Sequence, residues 1–86
     1  MDENVQRFRD EITALDRAVF EAINRRLELV AELKRYKDDH GIAFFDANRE
    51  TQMVEERVAE NRGPLSADGL RGFYRELLAL VKRELQ

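Results

Sequence analysis

NVQRFRDEITALDRAVFEAINRRLELVAELKRYKDD, residues 4–39, contains neither glycine nor proline and places apolar residues three and four positions apart. This spacing predicts one long amphipathic helix, because positions that recur every 3.5 residues fall on the same helical face. The helix should end at His40-Gly41, since glycine readily adopts the left-handed conformation that closes helices. We call the apolar face the seam, and its members are Val5, Phe8, Ile12, Leu15, Val19, Ala22, Leu29, Leu33 and Tyr36.

Two shorter helices are predicted to follow. Asp46 can cap the first of them, because its side chain can accept from free backbone N–H groups two or three residues later. Residues 61–64, Asn-Arg-Gly-Pro, should end that helix, and Ser66 can cap the next one. No alternating β-branched run occurs, so the predicted fold class is all-α, with a single domain over residues 1–86. The apolar stripe of the last helix comprises Leu70, Phe73, Tyr74, Leu77, Leu78, Val81 and Leu85.

The first helix is too long for two short helices to cover. At about 1.5 Å per residue it spans roughly 50 Å, whereas a compact domain of this size has a radius of gyration of about 13 Å. The sequence therefore predicts that the seam packs against a second copy of the chain, in an antiparallel homodimer. An autonomous helical hairpin with a frayed end is the alternative.

The composition excludes several classes of site. The 86 residues include no cysteine and a single histidine, so neither a disulfide framework nor a metal site is expected. Fifteen basic against 18 acidic side chains give no broad positive field for nucleic acid. No run approaches 18 apolar residues, and the first residues lack the basic and apolar segments of a signal peptide. We therefore expect a cytoplasmic protein that binds neither nucleic acid nor membrane.

Three basic residues of the long helix are candidates for binding an anion. Arg26 falls on the seam, where a charge is costly unless it meets an opposite charge. Lys37 lies eleven residues later, about 16 Å along the axis and on nearly the same face, so the two side chains can converge. Arg9 precedes Arg26 by 17 residues and can join it only from an antiparallel second copy. The alternatives are an ion pair of Arg26 with Glu21 or Glu32, and solvated surface positions for Lys37 and Arg9.

A further cluster, Asp46-Ala47-Asn48-Arg49-Glu50, falls on the first turn of the second helix. Arginine there opposes the helix dipole, which favours another task for Arg49, although an ordinary capping network is the alternative. The chain shows no nucleophile–base set, glycine-rich phosphate loop or metal-ligand spacing. A group of cations with so few reactive neighbours suits an anionic substrate that rearranges by itself, without covalent catalysis, metal or cofactor.

Taken together, these residues resemble the all-helical chorismate mutase family over nearly the whole chain. The matching pieces are Arg9-Asp10-Glu11-Ile12-Thr13-Ala14-Leu15-Asp16, Asn24-Arg25-Arg26-Leu27-Glu28-Leu29, Lys37, Asp46-Ala47-Asn48-Arg49-Glu50 and Gly63-Pro64-Leu65. No piece is specific alone, but all of them follow in the family's order and spacing. The resemblance implies an intertwined homodimer with two pockets, which converts chorismate to prephenate on the way to phenylalanine and tyrosine.

The resemblance also implies how the dianionic substrate is held. Arg26, and Arg9 from the other chain, bind the two carboxylates, and Arg49 lines the pocket on the carboxylate side. Fixed cations of this kind can select the reactive conformer of the substrate, so the reaction needs no general base.

The remaining implied roles concern the reacting oxygen and the ring hydroxyl. Lys37 lies by the ether oxygen whose bond breaks, where its charge stabilises the negative charge that develops in the transition state. Glu50, with the backbone at Asp46, holds the ring hydroxyl. These residues complete the pocket implied by the resemblance, apart from the last helix.

The last helix departs from the family pattern. Aligned on residues 74–77, Tyr-Arg-Glu-Leu, it places Val81 and Leu85 at two substrate-binding positions that are usually polar. The family usually has a small or hydroxyl residue at the first and a glutamine or glutamate at the second, which donates to the ether oxygen. Either this pocket lacks that donor, or Glu84 or Gln86 turns into it, or the ligand differs.

Other functions on the same fold therefore stay open. A 4-amino-4-deoxychorismate mutase would meet an amine where chorismate has a hydroxyl, and an isochorismate-pyruvate lyase would share the fold and the arginines. From a different class, the chain could be a non-catalytic helical regulatory dimer. A weak mutase that is activated by an enzyme of the shikimate pathway is the remaining alternative.

Overall fold

In a computed structural model, which describes residues 2–85, the chain forms three α-helices joined by two short loops. The helices are α1 (Glu3–Asp39), α2 (Ala47–Glu60) and α3 (Ala67–Glu84). Residues 2–85 contain no strand, and the all-α prediction with one very long first helix is confirmed. The observed bounds of α1 differ from the predicted ones by a single residue at the N-terminal end.

The C-terminal end of α1 is fixed by a left-handed turn at Gly41, whose φ is +67°. The backbone N–H of Ile42 donates to the carbonyl of Lys37 at 2.8 Å, and that of Gly41 to the carbonyl of Asp38 at 3.4 Å. These two bonds form a Schellman cap, which satisfies carbonyls that the helix leaves open. Glycine is favoured at this position because residues with a Cβ atom disfavour a positive φ.

The two shorter helices begin at the residues that the sequence predicts. Asp46 Oδ1 accepts from the backbone N–H of Arg49 at 3.0 Å and caps α2. Ser66 Oγ accepts from the backbone N–H of Gly69 at 3.0 Å and caps α3. Each cap satisfies a donor that the first helical turn leaves without a partner, so the sequence determines where both helices start.

The seam of α1 is exposed in the single chain. No residue of α1 is buried, and Leu15 is 66% exposed and Phe8 54% exposed. Contact with water along so much apolar surface is unusual for a monomeric protein and typical of a surface that another molecule covers. The large seam residues that are exposed are Val5, Phe8, Ile12, Leu15, Val19, Leu29, Leu33 and Tyr36.

The chain divides into two compact units, one ending at Glu32 and the other beginning at Leu33. In the second unit α2 packs against α3, and the buried apolar side chains are Val54, Leu78 and Val81. The assignment of residues 1–86 to a single domain stays a prediction.

An ion pair ties α2 to α3 in the second unit. The Arg71 guanidinium donates through Nε to Glu55 Oε1 at 3.0 Å and through Nη2 to Glu55 Oε2 at 3.1 Å. A bidentate pair of this kind fixes the relative orientation of the two helices more tightly than a single hydrogen bond does.

Candidate functional site

The centre of the candidate site is an ion pair between Glu50 on α2 and Lys82 on α3. Lys82 Nζ donates to Glu50 Oε1 at 3.1 Å. The Lys82 side chain is 41% exposed and that of Glu50 is 28% exposed, so the pair is partly shielded from water. Lys82 Nζ also lies 4.4 Å from the centre of the Phe45 ring, a favourable cation–π distance. The loop before α2, the first turn of α2 and the end of α3 thus meet around the Lys82 ammonium group.

Sequence reasoning missed Lys82. The sequence pattern could have identified Lys82, because it follows Leu78 by four residues and so lies on the face of α3 that carries buried Leu78. A lysine on a mostly apolar helical face needs a partner in the same way as Arg26 does on the seam. That partner is Glu50, 32 residues earlier in the chain.

Lys37 lies at the end of α1 and is held by the loop that follows. Its Nζ donates to the carbonyl oxygen of Phe44 at 3.5 Å and lies 5.9 Å from the centre of the Phe44 ring. The side chain is half-buried. An ammonium group has three N–H donors, so Lys37 keeps donors for a ligand while it contacts the loop.

In the single chain, Asp46 and Arg49 form their contacts with residues of α2. The carbonyl of Asp46 accepts the backbone N–H of Glu50 at 3.1 Å, in addition to the side-chain cap. The Arg49 guanidinium lies 3.4 Å from Gln52 Oε1 and 3.8 Å from Glu56 Oε1, and its side chain is 55% exposed. Arg49 therefore points along the surface of α2, and the capping network expected as an alternative is present.

Val81 and Leu85 form an apolar face at the end of α3. Val81 is only 5% exposed, and Leu85 is half-buried and caps the helix. The backbone N–H of Leu85 donates to the carbonyl of Val81 at 3.0 Å, which places Leu85 one helical turn beyond Val81 on the same side. Glu84 is exposed, and Gln86 lies outside the described residues.

The two predicted carboxylate-binding arginines belong to the first unit. Arg9 is exposed on α1, and Arg26 is half-buried. Along one helix their Cα atoms are about 25 Å apart, since α1 is continuous between them. Two arginines at that separation cannot bind the same small molecule within one chain.

A cavity of about 310 Å³ lies between α2 and α3, a volume at the lower end for small-molecule sites. Among the predicted site residues, only Glu50 is part of its wall. A hydrogen bond from the Arg71 guanidinium lowers the pKa of Glu55, a second carboxylate in this wall. The lining consists of Ala47, Glu50, Thr51, Val54, Glu55, Arg75 and Leu78.

Residues 2–85 offer neither a membrane-spanning helix nor a cluster of metal ligands. No helix in this part of the chain is both long and apolar enough to cross a membrane. The same residues contain no group of three or more histidine, aspartate or glutamate side chains placed to hold a metal ion.

Comparison with known proteins points to one family. Residues 8–86 match the family model described as chorismate mutase type II. The chain superimposes on a chorismate mutase structure (Form I) from Thermus thermophilus with a TM-score of 0.88 and 28% identity, over 92% of this chain and 99% of that one.

Two curated relatives are similar to this chain in sequence. A T-protein of Haemophilus influenzae is 37% identical over 82 residues, which are 90% of this chain and 22% of that protein. A 4-amino-4-deoxychorismate mutase of Streptomyces venezuelae is 34% identical over 55 residues, which are 64% of this chain and 52% of that protein. The chain thus spans about a fifth of the length of the first relative and about half of the second.

Proposed function

Because the chain belongs to the type II chorismate mutase family, shown by the match over residues 8–86, we propose that it converts chorismate to prephenate. The observation that carries the proposal is the superposition on the Thermus chorismate mutase, which spans nearly the full length of both chains. The reaction is an intramolecular [3,3] rearrangement. An enzyme can accelerate it by holding the substrate in the reactive conformer and by placing positive charge where negative charge develops.

The proposed carboxylate site needs two copies of the chain. Arg26 of one copy and Arg9 of the other bind the two carboxylates of chorismate, with Arg49 on the same side of the pocket. The separation of Arg9 and Arg26 along α1 supports this arrangement, since only an antiparallel partner can bring the two together. In this proposal Arg49 turns away from Gln52 when the anion binds.

The exposed seam supports the proposed homodimer. Phe8, Ile12 and Leu15 are each more than half exposed in the single chain. A second copy in antiparallel orientation would cover the same seam with itself, as an isologous interface requires. We therefore propose an intertwined antiparallel homodimer with two equivalent pockets.

Lys37 is the proposed donor to the ether oxygen. Its contact with the Phe44 carbonyl holds the ammonium group in place before substrate arrives. Preorganisation of this kind matters because the charge on the ether oxygen exists only in the transition state. Lys37 should therefore raise kcat more than it raises the affinity for the substrate.

Glu50 and the backbone at Asp46 are proposed to hold the ring hydroxyl. Oε1 of Glu50 accepts from Lys82, which leaves Oε2 open to the substrate hydroxyl. Asp46 is fixed as the N-cap of α2, so its backbone is rigid at this point. The hydroxyl is therefore held by groups that need little reorganisation.

The apolar pair Val81 and Leu85 leads to a proposal about the rate. With an apolar side chain at each position, Lys37 is the only charged donor that we assign to the ether oxygen, and the enzyme should be slow when assayed alone. An activating enzyme of the shikimate pathway is a proposed partner that could restore the rate. The cytoplasmic location stays a prediction.

A second candidate is the rearrangement of 4-amino-4-deoxychorismate, favoured by the similarity to the Streptomyces venezuelae protein of that name. The purified chain should be incubated separately with chorismate and with the amino compound, and both products should be measured by chromatography. We expect prephenate to form at the same rate before and after dialysis against a chelator. Unchanged chorismate together with conversion of the amino compound would overturn the first proposal in favour of the second.

A further inference from the structure

The Lys82–Glu50 pair places a positive charge beside the carboxylate that is proposed to hold the ring substituent. Lys82 Nζ lies 3.1 Å from Glu50 Oε1, and the Phe45 ring contacts the same ammonium group at 4.4 Å. A cation–π contact of this kind favours the position of the ammonium group beside the carboxylate. The carboxylate and the ammonium group together carry no net charge.

From this geometry we infer that Lys82 is a specificity-determining residue, which makes Glu50 prefer a neutral ring hydroxyl over a cationic ring amine. The inference rests on the proposed function, in which Glu50 binds the ring substituent. It assigns to Lys82 a task that is separate from joining α2 to α3.

The free oxygen of Glu50 can accept from either of two ring substituents, a hydroxyl or a protonated amine. A hydroxyl donates one hydrogen bond and brings no charge, so the nearby ammonium group of Lys82 does not oppose it. A protonated amine bound to the same carboxylate would lie roughly 4–6 Å from Lys82 Nζ, given ordinary hydrogen-bond lengths. Two like charges at that separation repel each other, and the amine loses the advantage that an isolated carboxylate would give it.

Exposure sets the size of the effect. Because the Lys82 and Glu50 side chains are 41% and 28% exposed, water screens part of the repulsion. The discrimination that Lys82 provides should therefore be about tenfold in kcat/KM, between the value for a surface pair and that for a buried one.

The test is the ratio of kcat/KM for chorismate to that for 4-amino-4-deoxychorismate, measured in parallel for each variant. Lys82→Met removes the charge but keeps most of the side-chain volume, and we expect the ratio to fall about tenfold, mainly through a lower KM for the amine. Lys82→Arg keeps the charge and should keep the ratio. Arg83→Met is the matched control, because it removes the same charge from an exposed position one residue away.

Each outcome decides the inference. An unchanged ratio in Lys82→Met, or an equal loss with both substrates, would mean that Lys82 only supports the fold, and the inference is then wrong. Thermal unfolding of each variant identifies misfolding, and Lys82→Gln serves as a second neutral variant if Lys82→Met unfolds. If the unmodified chain does not convert chorismate, the proposed function fails first and the inference fails with it.

Discussion

The exposed seam of α1 leads to a quantitative prediction for Leu15→Ala. Complete burial of a leucine side chain contributes about 1.5–3 kcal/mol, and Leu15 is 66% exposed in the single chain. If the second copy buries this fraction, each side contributes about 1–2 kcal/mol. Leu15 occurs in both copies of a symmetric dimer, so Leu15→Ala should weaken association by about 2–4 kcal/mol, or roughly 30- to 1,000-fold in Kd.

Sedimentation equilibrium over a range of chain concentrations measures this effect directly. Leu65→Ala is the matched control, because Leu65 is 50% exposed in the loop between α2 and α3 and is not part of the seam. We expect only Leu15→Ala to raise the Kd and to make activity per chain fall on dilution, as Arg9 of the second copy is lost. A folded wild-type monomer at micromolar concentration, or an equal effect of both substitutions, would refute the role of the seam.

Three more predictions concern the site and the second unit. Arg26→Ala should raise the activation free energy for kcat/KM by about 3–5 kcal/mol, which lowers kcat/KM a hundredfold or more, without loss of helix content. Arg25→Ala, at an exposed position, should change kcat/KM little. Loss of stability with full activity in Arg26→Ala would mean that Arg26 has a structural role only. Leu85→Gln should raise kcat about a hundredfold, since it adds a donor worth about 3 kcal/mol, and an unchanged kcat in steady-state kinetics would contradict this. Because Arg71 lowers the pKa of Glu55, the pair stabilises the fold at pH values above the usual glutamate pKa, and this stabilisation is lost as the pH falls through the lowered pKa. Acid unfolding of Glu55→Gln should therefore depend less on pH than that of the wild type. Identical acid-unfolding curves would contradict this prediction.

The helices of this chain could be predicted from the sequence because their ends depend on local signals. Gly41 closes α1, Asp46 opens α2 and Ser66 opens α3, and each acts through hydrogen bonds within five residues. Such bonds are set by residue type and spacing alone, so no tertiary information is needed.

The candidate site could be predicted only in part, because its central contact joins distant parts of the chain. Glu50 was identified through the family resemblance, but its partner Lys82 is 32 residues away on another helix. The register of α2 against α3 decides that pairing, and periodicity does not encode it. Arg49 shows the same limit, since its direction along α2 depends on Gln52 and on side-chain conformation. Arg9 would enter the site from a second copy, which no pattern within one chain can place.

The loop after α1 restricts how this protein can change its length during evolution. The backbone carbonyl of Lys37 accepts from Ile42 at 2.8 Å, and its ammonium group donates to the Phe44 carbonyl, so both ends of the residue are fastened to the same short span before Asp46. An insertion or deletion there would displace the ammonium group along with the turn. Even Gly41→Ala, which has open space for its Cβ, would strain the positive φ by about 1 kcal/mol or more. The loop between α2 and α3 is far along the chain from Lys37, so a change in its length would not displace that ammonium group in this way.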